Sequence, residues 1–130
     1  MSLLLDTHIA LWAISDDPKL KPAARERIAD AAAVFVSAVA IWEIVIKHAL
    51  RRGRHDDIVV SGSDALDMFE RAGFAILPIT AAHAAALDHL PPLHGDPFDR
   101  MLVAQALTEP MHLLTRDARL TGYGALIVQL

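Results

Sequence analysis

Five short, largely apolar runs, each separated from the next by a helical stretch, constrain the fold more than any other feature of this chain. The runs are Leu3–Leu5, Val34–Ser37, Phe74–Pro78, His112–Thr115 and Ala125–Gln129. They do not alternate polar with apolar residues, so neither face of the resulting strands suits water. A sheet of such strands needs helices on both faces, and strands joined through helices run parallel. The intervening segments supply those helices: Thr7–Ile14, Pro18–Ala33 with proline breaks, Ala38–Arg51 stopped by Gly53, Ser63–Ala72 stopped by Gly73, Thr80–Leu90 ended by Pro91-Pro92, Pro97–Thr108, and a short Asp117–Tyr123. Arg54–Gly62 reads as a loop. No repeat, linker or low-complexity tract interrupts the pattern, so residues 1–130 are expected to form one α/β domain.

Composition narrows the function. There are no cysteines, which excludes disulfides and thiolate metal sites and fits a reducing cytoplasm. Met1–Leu5 lacks a basic flank and is cut short by Asp6, so no signal peptide is read there. The longest greasy stretch, Ala31 to Ile46, is broken by Ser37 and Glu43 and is too short to span a bilayer; it reads as a buried strand and then a buried helix. The net charge of −4 does not advertise a nucleic-acid binder. Hydrophobic residues make up 54% of the chain and mean hydropathy is +0.35. That surplus calls for an interface: a homodimer, an obligate partner, or both.

The informative residues are acids. Asp6 directly follows the first run, where ligands bind in open parallel sheets, yet an Asp there also caps a helix well. Glu43 is the only charge between Ala38 and Ile46, and apolar residues surround it on every side of its helix. A buried carboxylate needs a partner, a metal or a raised pKa. Lys47, one turn on, offers an ion pair, but an exposed pair of this spacing contributes only about 0.5 kcal/mol, so a functional role ranks first. Asp96 before Pro97 is an ordinary helix cap. Asp99 falls at the third helical position, where an acid completes a capping box or complements the dipole, and that account explains it less fully. Asp117 repeats the placement of Asp6 just beyond Leu113-Leu114, with the same two readings. Several carboxylates in one place repel one another, and divalent cations are the natural way to keep them ionised. All-oxygen donors suit Mg²⁺ or Mn²⁺, and such a site activates water and clamps a phosphodiester.

Four ordered blocks carry a resemblance. Leu3-Leu4-Leu5-Asp6-Thr7-His8, Ser37-Ala38-Val39-Ala40-Ile41-Trp42-Glu43-Ile44, the segment Leu90 to Ala106 with His94-Gly95-Asp96-Pro97-Phe98-Asp99-Arg100 at its centre, and Leu114-Thr115-Arg116-Asp117 resemble the motifs of PIN-domain toxins of the VapC type, nearly end to end. The resemblance implies a three-layer α/β/α sandwich whose five-stranded parallel sheet runs in the order 3-2-1-4-5. It implies an acidic quartet of Asp6, Glu43, Asp99 and Asp117 holding Mg²⁺ or Mn²⁺, with Asp6 and Asp117 facing each other across the crevice. Asp96 is expected beside the quartet, contributing through water or as a cap, and Thr7 and Thr115 as hydrogen-bond partners of acids or water. The implied activity is RNA cleavage by a cytoplasmic homodimer restrained by a small VapB-type antitoxin, with no membrane involvement.

Other residues carry weaker signals. The seven histidines show no tight ligand spacing on any helix face, and turn or surface roles suit them better than a zinc site. Arg51, Arg52 and Arg54 form the one basic cluster, a solvated helix end or a contact for RNA phosphates. Arg100 and Arg116 stand beside candidate acids and are better placed for phosphate, although ion pairs with those acids are the simpler reading. Trp12 and Trp42 read as core or dimer interface rather than stacking platforms. Two other functions fit the acids less well. A phospho-receiver module needs a lysine late in the sheet, and none follows Lys47. A catalytically silent RNA- or partner-binding scaffold does not need the intact quartet.

Overall fold

The computed structural model describes residues 1–130. The first run forms β1 (Leu3–Leu5), the centre of the sheet, paired in parallel with β2 (Val34–Ser37) on one side and β4 (His112–Thr115) on the other. β3 (Ala75–Leu77) adds to β2, and β5 (Ile127–Gln129) to β4, so the five strands run in the order β3-β2-β1-β4-β5. The expected architecture is therefore the observed one. It differs from the 2-1-3-4-5 order of flavodoxin-like sheets, which sets the domain apart from the receiver alternative.

The helices are α1 (Thr7–Ser15), α2 (Pro22–Asp30), α3 (Ala38–Ala49), α4 (Gly62–Arg71), α5 (Ala81–Ala86) and α6 (Pro97–Thr108). Side chains alternate across a strand, and the three leucines of β1 divide accordingly. Leu3 and Leu5 join Val36, Leu114, Ile9, Ile44 and Phe69 in one core. Leu4 joins Leu113, Val39, Leu102, Val103 and Ile127 in the other. Both faces of the sheet are thus covered, as the unbroken apolar runs require. Gly62 opens α4 where a Cβ would stand 2.3 Å from Val45 Cγ2, so its missing side chain lets α4 approach α3. No helix is long and apolar enough to cross a membrane.

Several element boundaries differ from the sequence expectation. The helix expected over Pro18–Ala33 begins only at Pro22, whose fixed φ suits the first helical turn and whose missing N–H is harmless there. The stretch Thr80–Leu90 divides into α5 and a 3₁₀ turn, Leu87–His89, and the last short helix is 3₁₀ over Ala118–Tyr123. α3 is not covered all round. Glu43 and Ile44 are buried, but Trp42 is 55% and Val45 50% exposed. A helix lying on a sheet shows one side outward, and here that side kept its apolar residues.

Away from the strand ends, His83 is buried and ties α5 to α6. Its Nδ1 accepts the Thr80 N–H at 3.1 Å while Thr80 Oγ1 accepts the His83 N–H, a reciprocal cap. Its Nε2 lies 2.5 Å from Glu109 Oε2 at the end of α6. Replacing His83 by Leu is expected to cost about 2–4 kcal/mol, because the cap and the Glu109 partner are lost together. Urea unfolding followed by circular dichroism measures this; a loss below about 0.5 kcal/mol would show that the network contributes little.

Candidate metal and active site

The strand order reverses on either side of β1, and the crevice beyond the C-terminal ends of β1 and β4 is where such sheets bind ligands. Leu5 is in register with both Val36 and Leu114, so the chain leaves the three central strands at one level. Asp6 is the first residue beyond β1. Its Oδ1 accepts the Ile9 N–H at 2.9 Å and caps α1, while its Oδ2 accepts the Thr115 hydroxyl at 2.6 Å. Capping and placement at the crevice are therefore one arrangement, not alternatives. Burial pushes the Asp6 carboxyl above the usual carboxylate range, and the bonds from Thr115 and Ile9 only partly offset it.

Glu43 is 3% exposed in the middle of α3. Oε1 accepts the Thr7 hydroxyl at 2.6 Å and Oε2 pairs with Lys47 Nζ at 2.5 Å. The ion pair that the sequence offered does form, and Lys47 is only half covered. Burial alone would lower the Lys47 pKa; the hydrogen bond and charge of Glu43, with Asp96 and Asp99 nearby, raise it instead.

Asp96 caps α6, with its Oδ1 accepting from Phe98 N at 2.8 Å and Asp99 N at 3.1 Å. That cap turns Asp99 inward on the first turn of α6. The Asp99 carboxyl is raised to about 7, first by burial and then by the charges of Asp96, Glu43 and Asp6, with His94 pulling the other way. Asp99 therefore feels the charges of the other acids. Asp117 behaves oppositely. Arg119 clasps it, with Nε 3.0 Å from Oδ1 and a terminal nitrogen 2.8 Å from Oδ2, and holds its pKa down to about 2. Thr115 joins the two strand-end acids, donating to Asp6 and accepting the Asp117 N–H at 3.0 Å.

His94 completes the cluster. Its Nδ1 accepts the Asp96 N–H at 3.3 Å, which leaves Nε2 as the donor, 3.1 Å from Asp99 Oδ2 and 3.2 Å from Asp117 Oδ2. Ligand atoms of His94, Asp99 and Asp117 all lie within 4.8 Å of one another. This donor set fits a divalent cation. Two carboxylates and an imidazole converge, and burial together with the neighbouring acids opposes the ionisation of Asp99, which a cation would relieve. Sequence reasoning placed His94 among turn histidines and did not single out Arg119. No helical or strand spacing links His94 to the acids, so only the tertiary arrangement reveals it.

The remaining candidates lie around this centre. Arg100 donates to the Pro91 and Leu90 carbonyls and to Tyr123, pinning the turn that carries His94. Arg116 stands over the Trp12 ring, 4.8 Å from its centroid. Arg51 donates to the His48 carbonyl at the end of α3, and the backbone N–H groups of Arg52 and Arg54 bind Asp57. Arg52 and Arg54 also line a shallow cleft with Lys47, at one remove from Glu43.

Comparison with known proteins agrees with this architecture. The model of the PIN domain family matches residues 3–126. Ribonuclease VapC22 of Mycobacterium tuberculosis is 32% identical over 122 residues, which cover 94% of this chain and 92% of that protein. Among solved structures, VapBC2 of Rickettsia felis bound to a promoter DNA fragment superposes with a TM-score of 0.69 at 18% identity, covering 95% of this chain and 93% of that one. A toxin–antitoxin complex from Klebsiella pneumoniae gives 0.59 at 17% identity, covering 92% and 91%. At those identities the structures speak for the fold, while the family model and the VapC22 match span nearly the whole sequence. This chain therefore belongs to the PIN-domain family and is homologous to its VapC-type ribonucleases.

Proposed function

We propose that the protein is an endoribonuclease dependent on Mg²⁺ or Mn²⁺, the toxin of a type II toxin–antitoxin pair. One observation carries the reading: acids from four separate parts of the chain meet at the strand-end crevice, where the charges of Asp96, Glu43 and Asp6 add to burial in opposing the ionisation of Asp99, and His94 lies between Asp99 and Asp117. Asp99 and Asp117 would hold the ion, His94 could join them only once the proton on Nε2 has left, and Asp6 and Glu43 complete the acidic quartet behind them. When bound, such an ion lowers the pKa of water and neutralises charge on a phosphodiester. The protein's own part is positioning. Thr115 and the first turn of α1 fix Asp6; Thr7 and Lys47 fix Glu43; Asp96 fixes the first turn of α6; Arg119 keeps Asp117 ionised. Arg116, beside Asp117 in the chain, is the residue best placed for the RNA phosphate, and Arg51, with Arg52 and Arg54 in the cleft beside Lys47, is the further candidate cluster for phosphate contact.

Wild-type protein is expected to cut structured RNA in Mg²⁺, and to stop doing so in EDTA or as Asp6→Asn. Cutting that survives both treatments would point to another mechanism and sink the reading.

The partners follow from homology and surface. The relatives of known structure include toxin–antitoxin complexes, and an antitoxin is the partner proposed for this chain as well. The exposed side of α3 presents Trp42 and Val45, with the Phe98 ring edge-on to Trp42 at 5.1 Å, and we assign this face to a homodimer. Trp42→Asp is then expected to shift the protein from dimer to monomer in light scattering after size exclusion. An unchanged mass would reject the face, though not the nuclease.

A further inference from the structure

Beside the acidic centre lies a cleft of about 430 Å³ between α1, the segment 55–60 and α4. Its wall nearest the acids is His8, Trp12 and Arg116. His8 follows Asp6 by two residues and Arg116 immediately precedes Asp117, and both side chains act on the Asp6 carboxyl, so this wall borders the crevice. The Arg116 guanidinium lies 4.8 Å from the Trp12 centroid, and the His8 ring lies 6.0 Å from it, tilted by 58°. The rest of the lining is apolar at Leu11 and Ile58 and charged at Asp17, Asp56 and Asp57, with Lys19 and His55 among those acids.

We propose that this cleft receives one unpaired nucleobase next to the phosphodiester that is cut, stacked on the Trp12–Arg116 pair, and that it sets the base preference of cleavage. The inference rests on the endoribonuclease reading. A nucleobase has apolar faces and a polar edge, and proteins read single-stranded RNA by stacking splayed bases on aromatic rings and guanidinium planes. The volume is at the scale of a small-molecule pocket. Charge is distributed to match. Arg116 lies on the side of the acidic centre, where the backbone phosphate would run, whereas Asp17, Asp56 and Asp57 outnumber Lys19 and His55 elsewhere in the lining and accept hydrogen bonds from exocyclic amino groups. Adenine and cytosine are therefore preferred over uracil.

The test uses the full chain as Asp6→Asn in Mg²⁺, with labelled hexa-adenylate, hexacytidylate and hexauridylate followed by fluorescence anisotropy. Hexa-adenylate and hexacytidylate are expected to bind more tightly than hexauridylate. Adding Trp12→Ala weakens binding about 10-fold, Trp12→Phe keeps most of it, and the surface change Arg116→Gln reproduces the loss without touching the core. In the otherwise wild-type chain, Trp12→Ala and Arg116→Gln flatten the base preference at cut sites in a randomised RNA pool. Unchanged binding and unchanged preference in both variants would overturn the inference. So would a cleft that binds an amphipathic helical peptide through Trp12 but no oligonucleotide. If wild type cuts RNA and the Trp12 and Arg116 variants change nothing, the base pocket and the phosphate contact of Arg116 fail together, and the metal-dependent nuclease reading stands. If wild type cuts nothing yet the hexamers bind through Trp12, the nuclease reading fails and takes the cleavage preference with it, and base binding alone stands.

Discussion

Asp99→Asn is expected to cut RNA more than about 100-fold more slowly than wild type and, in EDTA, to melt at a higher temperature. The two effects have one cause. Asp99 lies among Asp6, Glu43 and Asp96 in a half-covered crevice that pushes its carboxyl up to about 7. A cation binds best to the charged form, so that charge is what the site offers a metal, and without the metal it is a liability. Loss of partners around a metal site typically costs about 10–100-fold in affinity or activity, and loss of a ligand costs more. Asn keeps the shape and removes the charge. It relieves the repulsion that the metal-free fold bears at neutral pH, so stability rises while activity falls. A variant equally impaired in both would mean that Asp99 holds the fold together rather than the ion. Calorimetric melting in EDTA, set beside cleavage rates in Mg²⁺, separates the two.

The metal-free protein is expected to lose stability as pH rises from about 5 to about 8, and Mg²⁺ to abolish most of that loss. Asp99 binds its proton more tightly in the folded state, at about 7, than at the ordinary value of 3.8 in the unfolded chain. Between those values the folded state carries more protons, so each rise in pH favours unfolding until both states are ionised. The shift of roughly three units corresponds to at most about 4 kcal/mol. Asp6, also raised by burial, acts in the same direction. Asp117 acts in the opposite one. Held down to about 2 by Arg119, it contributes stability that is present above 3.8 and lost as pH falls through about 2, so it shapes only the acid limb. A melting temperature in EDTA that is flat or rising from about pH 5 to pH 8 would show that the acids do not oppose one another as described.

Much of this was legible in the chain because the signals agreed. Unbroken apolar runs demanded a sheet covered on both faces, and Leu3, Leu4 and Leu5 divide between two cores as they must. The acids just beyond strand ends were readable from position alone. The residues could not decide between cap and site for Asp6, and the structure removes the choice by using one oxygen for Ile9 and the other for Thr115. Glu43 stood out as the only charge between Ala38 and Ile46, and it is buried. What could not be read depends on tertiary convergence. His94 occupies an irregular turn with no periodicity to tie it to Asp117, more than twenty residues on, and Arg119 reaches Asp117 by folding back over a 3₁₀ turn. Periodicity likewise registered the apolar residues of α3 without telling a core face from an exposed one, which is why the helix read as buried and Trp42 as either core or interface, although Trp42 and Val45 are exposed.

The central claim is that the convergent acids hold a divalent cation, and isothermal titration with Mn²⁺, backed by electron paramagnetic resonance of the bound ion, tests it most directly. Wild type is predicted to bind Mn²⁺ in competition with Mg²⁺, and the double variant Asp99→Asn, Asp117→Asn to lose that binding while remaining folded. Mn²⁺ bound equally well by the double variant, or not bound by wild type even at millimolar concentration, would contradict the claim.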